Sequence, residues 1–385
     1  MKFCSMFSQL LPLIPRAEFE RLARSTGASK GQKGFTCWDQ CVALLFCQLG
    51  HAHSLREISG GLASCAGKLN HLGVNKAPAK STFAYANKER PFELYEKLFY
   101  ELLSRFASEH KGKHKFRFKN TLISLDATVI DLCLSMYDWA DFCRTKGAVK
   151  LHMQLDHNGY LPCFCVVTDG KTHEITQARK MSFERGTIVV FDRGYNDYDW
   201  FNSLTNEGVF FVTRLKTNAV YRVVKKHKVP QGKNVLEDQT IVLGKTGAEG
   251  ERTYRRVLVL VPESGETLEF LTNHHKLSPA TIAAIYKDRW QIESFFKALK
   301  QNLKIKTFLG TSANAVKTQI WTALIAMLLI KHLKQKSSHN WSLSNLIALL
   351  RMNLFVHRDL WAWLDQPLCP PPEPVMNGQG VLVFT

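Results

Sequence analysis

The chain has 385 residues, of which 45% are hydrophobic, and its formal net charge is +18 at pH 7. This length predicts two or three domains, and the apolar fraction is ample for globular cores, which excludes a chain dominated by low-complexity tracts. The excess of Lys and Arg indicates a polyanionic partner such as nucleic acid. The 10 Cys residues include no C-x-x-C pair and no zinc-finger spacing, so we expect reduced thiols and a cytoplasmic protein.

The first 75 residues are predicted to form a helical domain. Cys37–Leu49 is an apolar helix, and Ser54–Leu62 is a shorter one in which Ser54 caps the N-terminus with Glu57 three residues later. Two short helices with a tight connection are typical of a helix-turn-helix reader of DNA, but a helical packing module has the same pattern. The sequence of this region leaves both interpretations open.

Residues 76–120 are predicted to be a linker with one amphipathic helix, Pro91–Ala107, and a basic segment after it. In the basic segment, Lys111–Lys119, cations alternate with aromatic residues. This segment is either an arm that follows the phosphates of a nucleic acid or a solvated charged face.

Two aspartates come at the ends of segments that are predicted to be buried strands. Asn120–Thr128 carries Asp126 near its exit, and Gly186–Tyr195 has a β-branched run that ends in Asp192. A carboxylate at the end of a core strand is poorly solvated unless it is paired or bound to a metal ion. Taken singly, Asp126 could cap a turn, and Asp192 could pair with Arg193 or cap the turn that follows. Arg193 could instead contact a phosphate.

Residues 206–277 are predicted to form a β-rich insertion without a long helix. Its apolar-alternating runs are Val209–Leu215, Val220–Val224, Thr240–Leu243, Arg255–Val261 and Leu268–Leu271. Polar, turn-rich segments at 230–234 and 244–251 divide them. We expect these runs to form hairpins in a surface subdomain.

One long helix is predicted from Ser278 to Leu303. Ser278 is a good N-cap, and Pro279 fits the first helical position, where its missing N–H costs nothing. The apolar side consists of Ile282, Ile285, Ile292, Phe296, Leu299 and Leu303. Beside it, a strip about 60° wide carries Tyr286, Arg289, Glu293 and Lys300. On most helices such a strip is only mixed surface charge, but here two aspartates accompany it.

Together Asp126, Asp192 and Glu293 predict a site for two Mg²⁺ or Mn²⁺ ions, because these hard cations prefer oxygen ligands. Asp126 would bridge both ions, while Asp192 and Glu293 would each hold one. Two such ions about 3.5–4 Å apart can promote in-line displacement at phosphorus. The phosphates on either side of the scissile bond would be held by the other residues of the strip, Tyr286, Arg289 and Lys300.

The spacing Y-x2-R-x3-E-x6-K of this strip, with Asp126 and the D-R-G-Y run from Asp192, resembles the DDE transposases of the insertion sequence 4 type. Further similar stretches are H-S-L-R-E-I from His53, S-T-F-A-Y-A-N-K from Ser81 and K-G-A-V-K-L-H from Lys146. The resemblance implies an α/β fold with a ribonuclease-H-like core at 121–205 and 278–335, interrupted by the insertion at 206–277. It also favours DNA binding by residues 1–75.

The same resemblance implies a DNA transposase that binds the terminal inverted repeats of an insertion element, cleaves at its ends and joins the 3′-OH to target DNA. It further implies a homodimer in the synaptic complex and a location at the nucleoid. Two alternatives stay open. One is a DNA nuclease of the same fold without strand transfer, and the other is a domesticated, non-catalytic DNA-binding protein.

The C-terminal part is predicted to contain a core helix and a loose tail. Ile320–Ile330 is apolar apart from Thr322 but too short to span a bilayer, so we expect no membrane association. Residues 336–385 are predicted to be a helical segment and a tail that begins with the Pro-rich run at 367–374.

Overall fold

The structure, a computed structural model, describes residues 4–65, 67–109, 115–132, 137, 139, 141–143, 146–229, 234–244 and 252–369. The helices are α1 (Met6–Leu10), α2 (Arg16–Ser25), α3 (Cys37–Gly50), α4 (Leu55–Ser64), α5 (Lys80–Glu89), α6 (Glu93–Glu109), α7 (Glu174–Ala178), α8 (Tyr198–Asn206), α9 (Pro279–Asp288), α10 (Trp290–Asn302), α11 (Ala313–Lys336), α12 (Leu343–Asn353) and α13 (Leu360–Asp365). The strands are β1 (Leu122–Leu132), β2 (Asp141–Cys143), β3 (Lys146–Asp156), β4 (Leu161–Asp169), β5 (Ile188–Phe191), β6 (Phe210–Arg214), β7 (Tyr221–Lys226), β8 (Val235–Leu243), β9 (Thr253–Leu260) and β10 (Thr267–Thr272).

The two helices predicted near the N-terminus are present, with the predicted cap on the second. The hydroxyl of Ser54 accepts a hydrogen bond from the Glu57 N–H at 3.1 Å and so begins α4. Nearly every side chain of α3 is buried, whereas α4 exposes residues such as Arg56. Helix α3 therefore lies in the core, and only the outer side of α4 is open to a partner.

The N-terminal helices share one hydrophobic core with the C-terminal half of the chain. This core contains buried residues of α1 to α6 and of α10 to α13, together with one face of β3. The α11 side chain of Trp321 lies at its centre, with its ring 5.4 Å from that of Phe99 on α6. The described parts of 4–75 and 336–365 therefore share one core with α6, α10 and α11 rather than having cores of their own.

Helix α11 confirms the core helix predicted at 320–330 and is longer than predicted. An 18-residue window of this 24-residue helix has a mean hydropathy of 1.4, so the helix is long and apolar enough to cross a membrane, but 83% of the window is buried inside the protein. Such burial is typical of the central helix of a helical core, because the apolar side chains already have protein partners.

The rest of the described chain is organised by one large sheet. Its order is β2-β3-β1-β5-β6-β10-β9-β8-β7, with β4 pairing with β3. The pairs β1–β5 and β5–β6 are parallel, and the other pairs are antiparallel. Strand β1 stays paired with β3 as far as Leu132. Asp126 consequently lies in the middle of β1, not near the exit of a strand that ends at residue 128.

The strands predicted for the insertion are present, but they continue the sheet instead of forming a separate one. Strand β6 pairs in parallel with β5 and antiparallel with β10, and β10 to β7 follow as an antiparallel series. The predicted boundary at 205/206 thus separates two strands that are hydrogen-bonded neighbours. Most of the predicted turn segments, 230–233 and 245–251, lie outside the described residues.

The single helix predicted from Ser278 to Leu303 is two helices that meet at Arg289. The Ser278 cap and Pro279 are as predicted, and all six apolar residues of the predicted buried side are buried. Ile282 and Ile285 pack in a small core against the sheet, whereas Ile292 and the later apolar residues pack in the large helical core. The break falls where the chain passes from one core to the other, so each half can follow its own packing surface.

We predict that Trp321→Ala lowers the free energy of unfolding by about 3–5 kcal/mol, because it opens a cavity in the centre of the large core. Trp361 is 42% exposed and provides the matched control, so Trp361→Ala should change stability by less than about 0.5 kcal/mol. Urea unfolding followed by far-UV circular dichroism compares the two. Equal losses for both variants would contradict a core centred on α11.

Candidate functional site

Asp126 and Asp192 are brought together by the register of two parallel strands. Leu125 on β1 lies opposite Phe191 on β5, and both side chains are fully buried. Asp126 directly follows Leu125, and Asp192 directly follows Phe191. Strand β5 ends at Phe191 while β1 continues, so Asp192 leaves the sheet beside Asp126.

Asp192 caps the turn that follows it. Its Oδ1 accepts a hydrogen bond from the Gly194 N–H at 2.5 Å and starts a short 3₁₀ turn, Arg193–Tyr195. The capping interpretation is therefore correct for one carboxylate oxygen, and it does not exclude a second role for the other. Arg193 is exposed to solvent next to this acid.

Arg289 lies between Asp126 and Glu293. From the junction of α9 and α10, its Nη2 donates to Glu293 Oε1 at 2.5 Å and its Nη1 approaches Asp126 Oδ2 at 3.5 Å. The guanidinium also lies 5.4 Å from the centre of the Tyr286 ring. Its side chain is only 11% exposed, and its Nε has no hydrogen-bond partner among the described protein atoms. Arg289 is thus a buried cation with one donor still available.

The carboxyl of Asp126 has a raised pKa of about 7. Burial is the main cause, because it disfavours the charged form, and the negative charges of Asp192 and Glu293 act in the same direction. The Ala127 N–H and the Arg289 guanidinium oppose this shift. The effect of both other acids on Asp126 shows that all three share one electrostatic environment.

The predicted strip of the helix faces this environment. Tyr286 is half-buried, and its ring packs 5.1 Å from that of Phe270, while burial raises the pKa of its hydroxyl. Lys300 reaches the same strand as Asp126, and its Nζ donates to the Val129 carbonyl at 2.6 Å. Burial lowers the pKa of Lys300. Arg289 and Lys300 therefore contact β1, whereas Tyr286 packs against β10.

The donor atoms suit a hard divalent cation, but the acids are not drawn together as its ligands in this arrangement. Within the described ranges, no group of three or more His, Cys, Asp or Glu side chains is close enough to hold a metal ion. Arg289 occupies the space between Asp126 and Glu293. The side chain of Glu293 is 42% exposed, so it can rotate without disturbing the core. The oxygen chemistry thus fits the predicted site, and the predicted ligand geometry requires Arg289 to move.

Two contacts around the acids were not predicted from the sequence. Trp290 is 54% exposed, and its indole N–H donates to Glu293 Oε2 at 3.2 Å. The spacing of three residues along a helix is the signal that could have indicated this contact. The second is a buried contact between Asp288 and His157, residues distant in sequence, for which no local pattern gives a signal.

Comparison with known families gives two matches. A family profile described as "Transposase DDE domain" matches residues 117–329, which is more than half of the chain. A second profile, described as "Domain of unknown function (DUF4372)", matches residues 4–75.

Individual proteins are similar over most of the chain. "Putative transposase y4zB" of Sinorhizobium fredii is 30% identical over 304 residues, which cover 77% of this chain and 83% of that protein. "Probable transposase for insertion sequence element IS5377" of Geobacillus stearothermophilus is 28% identical over 268 residues, 69% of this chain and 70% of that protein. Among solved structures, the piggyBac transposase synaptic complex with hairpin DNA covers 95% of this chain and 81% of its own, with a TM-score of 0.41 and 10% identity. At that TM-score the likeness carries no argument about this chain.

We predict that Asp126→Asn makes the metal-free protein more resistant to heat at pH 8 than the wild type. The folded-state pKa of Asp126, about 7, lies above the ordinary value of 3.8. The stabilising contribution of this group is therefore complete below about pH 4 and is lost as the pH rises through about 7. The difference in Tm should shrink between pH 8 and pH 5 in the presence of a chelator. Asp199→Asn, at a side chain that is 92% exposed, is the control. A Tm difference that does not change with pH would contradict the assignment.

Proposed function

The chain belongs to the DDE transposase family and is a DNA transposase, and from that membership we propose how it acts on DNA. It binds the terminal inverted repeats of an insertion element, cleaves at the element ends and joins the freed 3′-OH to target DNA. The family membership agrees with the resemblance to the insertion sequence 4 type that the helix motif predicted.

The observation that carries this proposal is the position of the three acids in the family-matched region. Asp126 lies within β1 beside Asp192, which follows the end of the parallel strand β5, and Glu293 is linked to Asp126 through Arg289. A buried carboxyl with a strongly raised pKa, as at Asp126, is typical of sites of chemistry. We therefore assign Asp126, Asp192 and Glu293 as the catalytic acids.

These three acids would hold two Mg²⁺ or Mn²⁺ ions, a number and identity that we propose from their oxygen chemistry. When bound, such ions supply charge stabilisation and activation of the attacking oxygen at the scissile phosphate. Asp126 is more deeply buried than Glu293 and is affected by the charges of both other acids, so it would contribute to holding the ions.

Arg289 would exchange partners when DNA binds. In the DNA-free arrangement its guanidinium neutralises Asp126 and Glu293. A phosphate offers the same planar fork two anionic oxygens, so Arg289 can leave the carboxylates for DNA without losing its charge partner. That exchange would free Asp126 and Glu293 to hold the ions, for which both side chains must be ionised.

The other proposed phosphate contacts come from Tyr286, Lys300 and Arg193. The Tyr286 hydroxyl would donate a hydrogen bond to a phosphate oxygen. The Lys300 ammonium, which donates to the Val129 carbonyl in the DNA-free arrangement, would turn to a phosphate oxygen. Arg193, exposed beside Asp192, would contact a phosphate of the DNA backbone on the far side of the scissile bond.

More distant contacts with DNA follow from charge and symmetry. The net charge of +18 gives the non-specific attraction, and in the N-terminal region the outer side of α4 is open for contact with the terminal repeats. Two element ends must be paired, so we propose a homodimer in the synaptic complex. A protein with these partners would act at the nucleoid.

We predict that Asp126→Asn, Asp192→Asn and Glu293→Gln each reduce strand cleavage by at least about 1,000-fold while leaving affinity for the element end within a few-fold. The substrate is labelled duplex from the DNA that flanks the reading frame, incubated with Mg²⁺. Cleavage and joined products are resolved on denaturing gels, and affinity is measured by gel shift. Asp199→Asn serves as the control that should cleave like the wild type.

The product pattern distinguishes the proposal from its alternatives. Cleavage without joined products would indicate a nuclease of the same fold, and binding without cleavage would indicate a domesticated DNA-binding protein. Retained cleavage in any one of the three acid variants would remove that residue from the site.

We predict that Lys300→Gln weakens binding of the element end and makes it less salt-dependent. Loss of one phosphate contact should reduce the slope of log affinity against log salt concentration by about 1. Fluorescence anisotropy over a series of salt concentrations measures the slope. An unchanged slope would show that Lys300 serves only to hold α10 against β1.

A further inference from the structure

A buried chain of polar groups connects β1 to the end of α9. Ser124 Oγ on β1 lies 2.6 Å from His157 Nε2, and His157 Nδ1 lies 2.6 Å from Asp288 Oδ2. The Tyr160 hydroxyl donates to the same carboxylate at 3.1 Å, and the Lys115 ammonium pairs with its other oxygen. These contacts join strand, turn, helix and the basic segment before β1.

The charge state of Asp288 in this network follows from the groups that donate hydrogen bonds to it. Burial opposes ionisation of Asp288, but hydrogen bonds from His157 and Lys115 outweigh it and lower the pKa of Asp288 to about 2. An ionised carboxylate only accepts hydrogen bonds, so the Nδ1–H of His157 donates a hydrogen bond to Asp288. The other ring nitrogen then meets the Ser124 hydroxyl, and both ends of the imidazole are held.

The order serine, histidine, aspartate also occurs in hydrolases, but Ser124 in this hydrogen-bonded network cannot act as a nucleophile. Ser124 is fully buried at 0% exposure, and the His157 side chain is 5% exposed. No substrate carbonyl can reach the serine oxygen without unfolding β1. The role of the chain must therefore be exerted through the elements that it joins.

Both ends of the chain lie next to residues of the proposed catalytic site. Ser124 precedes Asp126 by two residues on β1, so the two side chains point to the same face of the sheet. Asp288 directly precedes Arg289, which contacts Asp126 and Glu293. The helix break and β1 are thus tied at two points, once through Arg289 and once through this buried chain.

We propose that Ser124, His157 and Asp288 are positioning residues that hold the α9–α10 junction at a fixed distance from Asp126. A single contact between two elements acts as a pivot, whereas two contacts also fix their orientation. The buried tie matters most when Arg289 moves from the carboxylates to DNA, because it then remains as the connection between the junction and β1. This inference rests on the proposed function, since it concerns the placement of the same acids.

The test compares Asp288→Asn and Ser124→Ala with a matched control, Asp238→Asn. Asp238 is also a buried carboxylate, with a side-chain exposure of 3%, and it forms an ion pair with Arg255 inside the sheet. Hydrogen–deuterium exchange read by mass spectrometry follows the amides of residues 285–296. Loss of a charged buried hydrogen bond should speed exchange at this junction about 10-fold in Asp288→Asn, and less in Ser124→Ala. Asp238→Asn should leave it unchanged.

The second readout separates rate from binding. Single-turnover cleavage of end DNA should fall about 10- to 100-fold in Asp288→Asn with affinity for that DNA unchanged, because a small misplacement of catalytic groups affects the reaction more than binding. The double variant should be no slower than Asp288→Asn alone, since both changes break the same chain. Lys115→Arg, which keeps the cation, should stay close to the wild type.

The hydrogen–deuterium exchange measurements need neither DNA nor cleavage. They therefore test the positioning role even if the protein does not cut DNA. Unchanged exchange at the junction in both variants, or an equal increase in Asp238→Asn, would overturn the proposal. Wild-type protein that shows no cleavage would count against the proposed function alone. If Asp288→Asn does not fold, Ser124→Ala still decides the question, because it removes a single hydroxyl.

Discussion

Mutual repulsion among Asp126, Asp192 and Glu293 is the constraint around which the site is organised. Bringing three carboxylates to one edge of a buried sheet is unfavourable unless positive charge accompanies them. In the DNA-free chain that charge is Arg289, placed at a helix junction where it reaches two of the three acids. The pKa of Asp126 is raised mainly by burial, with smaller contributions from the charges of Asp192 and Glu293, and Arg289 opposes this shift. Under the proposed function, this buried acidic environment would hold the divalent cations that phosphoryl transfer uses.

The fold provides this arrangement by joining two different cores at Arg289. Helix α9 packs on the sheet near the insertion strands, and α10 packs in the helical core that also holds the N-terminal region. A residue at their junction is fixed from both sides, so its guanidinium can stay buried with one nitrogen unpaired. Because the insertion strands continue the same sheet as β1 and β5, movement of the insertion would be transmitted to the acids through β6.

Several features could be predicted from the sequence because they depend on local periodicity. The capping residues Ser54 and Ser278, the strand runs of the insertion and the apolar side of the 278–303 segment were all predicted where the structure has them. The helix break was not predicted, because helical spacing continues through Arg289 and only the division between two cores interrupts it. The length of β1 was underestimated for a similar reason, since its continuation depends on pairing with β3.

The sequence by itself indicated the residues that we propose for the chemistry, since the two aspartates follow apolar strand runs and the Tyr286–Lys300 strip has a recognisable spacing. Tertiary structure decided how they are related. The β1–β5 register brings Asp126 beside Asp192, Arg289 lies between two acids instead of on a free surface, and Ser124, His157 and Asp288 meet in the interior. These contacts join residues far apart in the chain. Their geometry is set by strand pairing and by the packing of two cores, and neither of these leaves a periodic trace in the sequence.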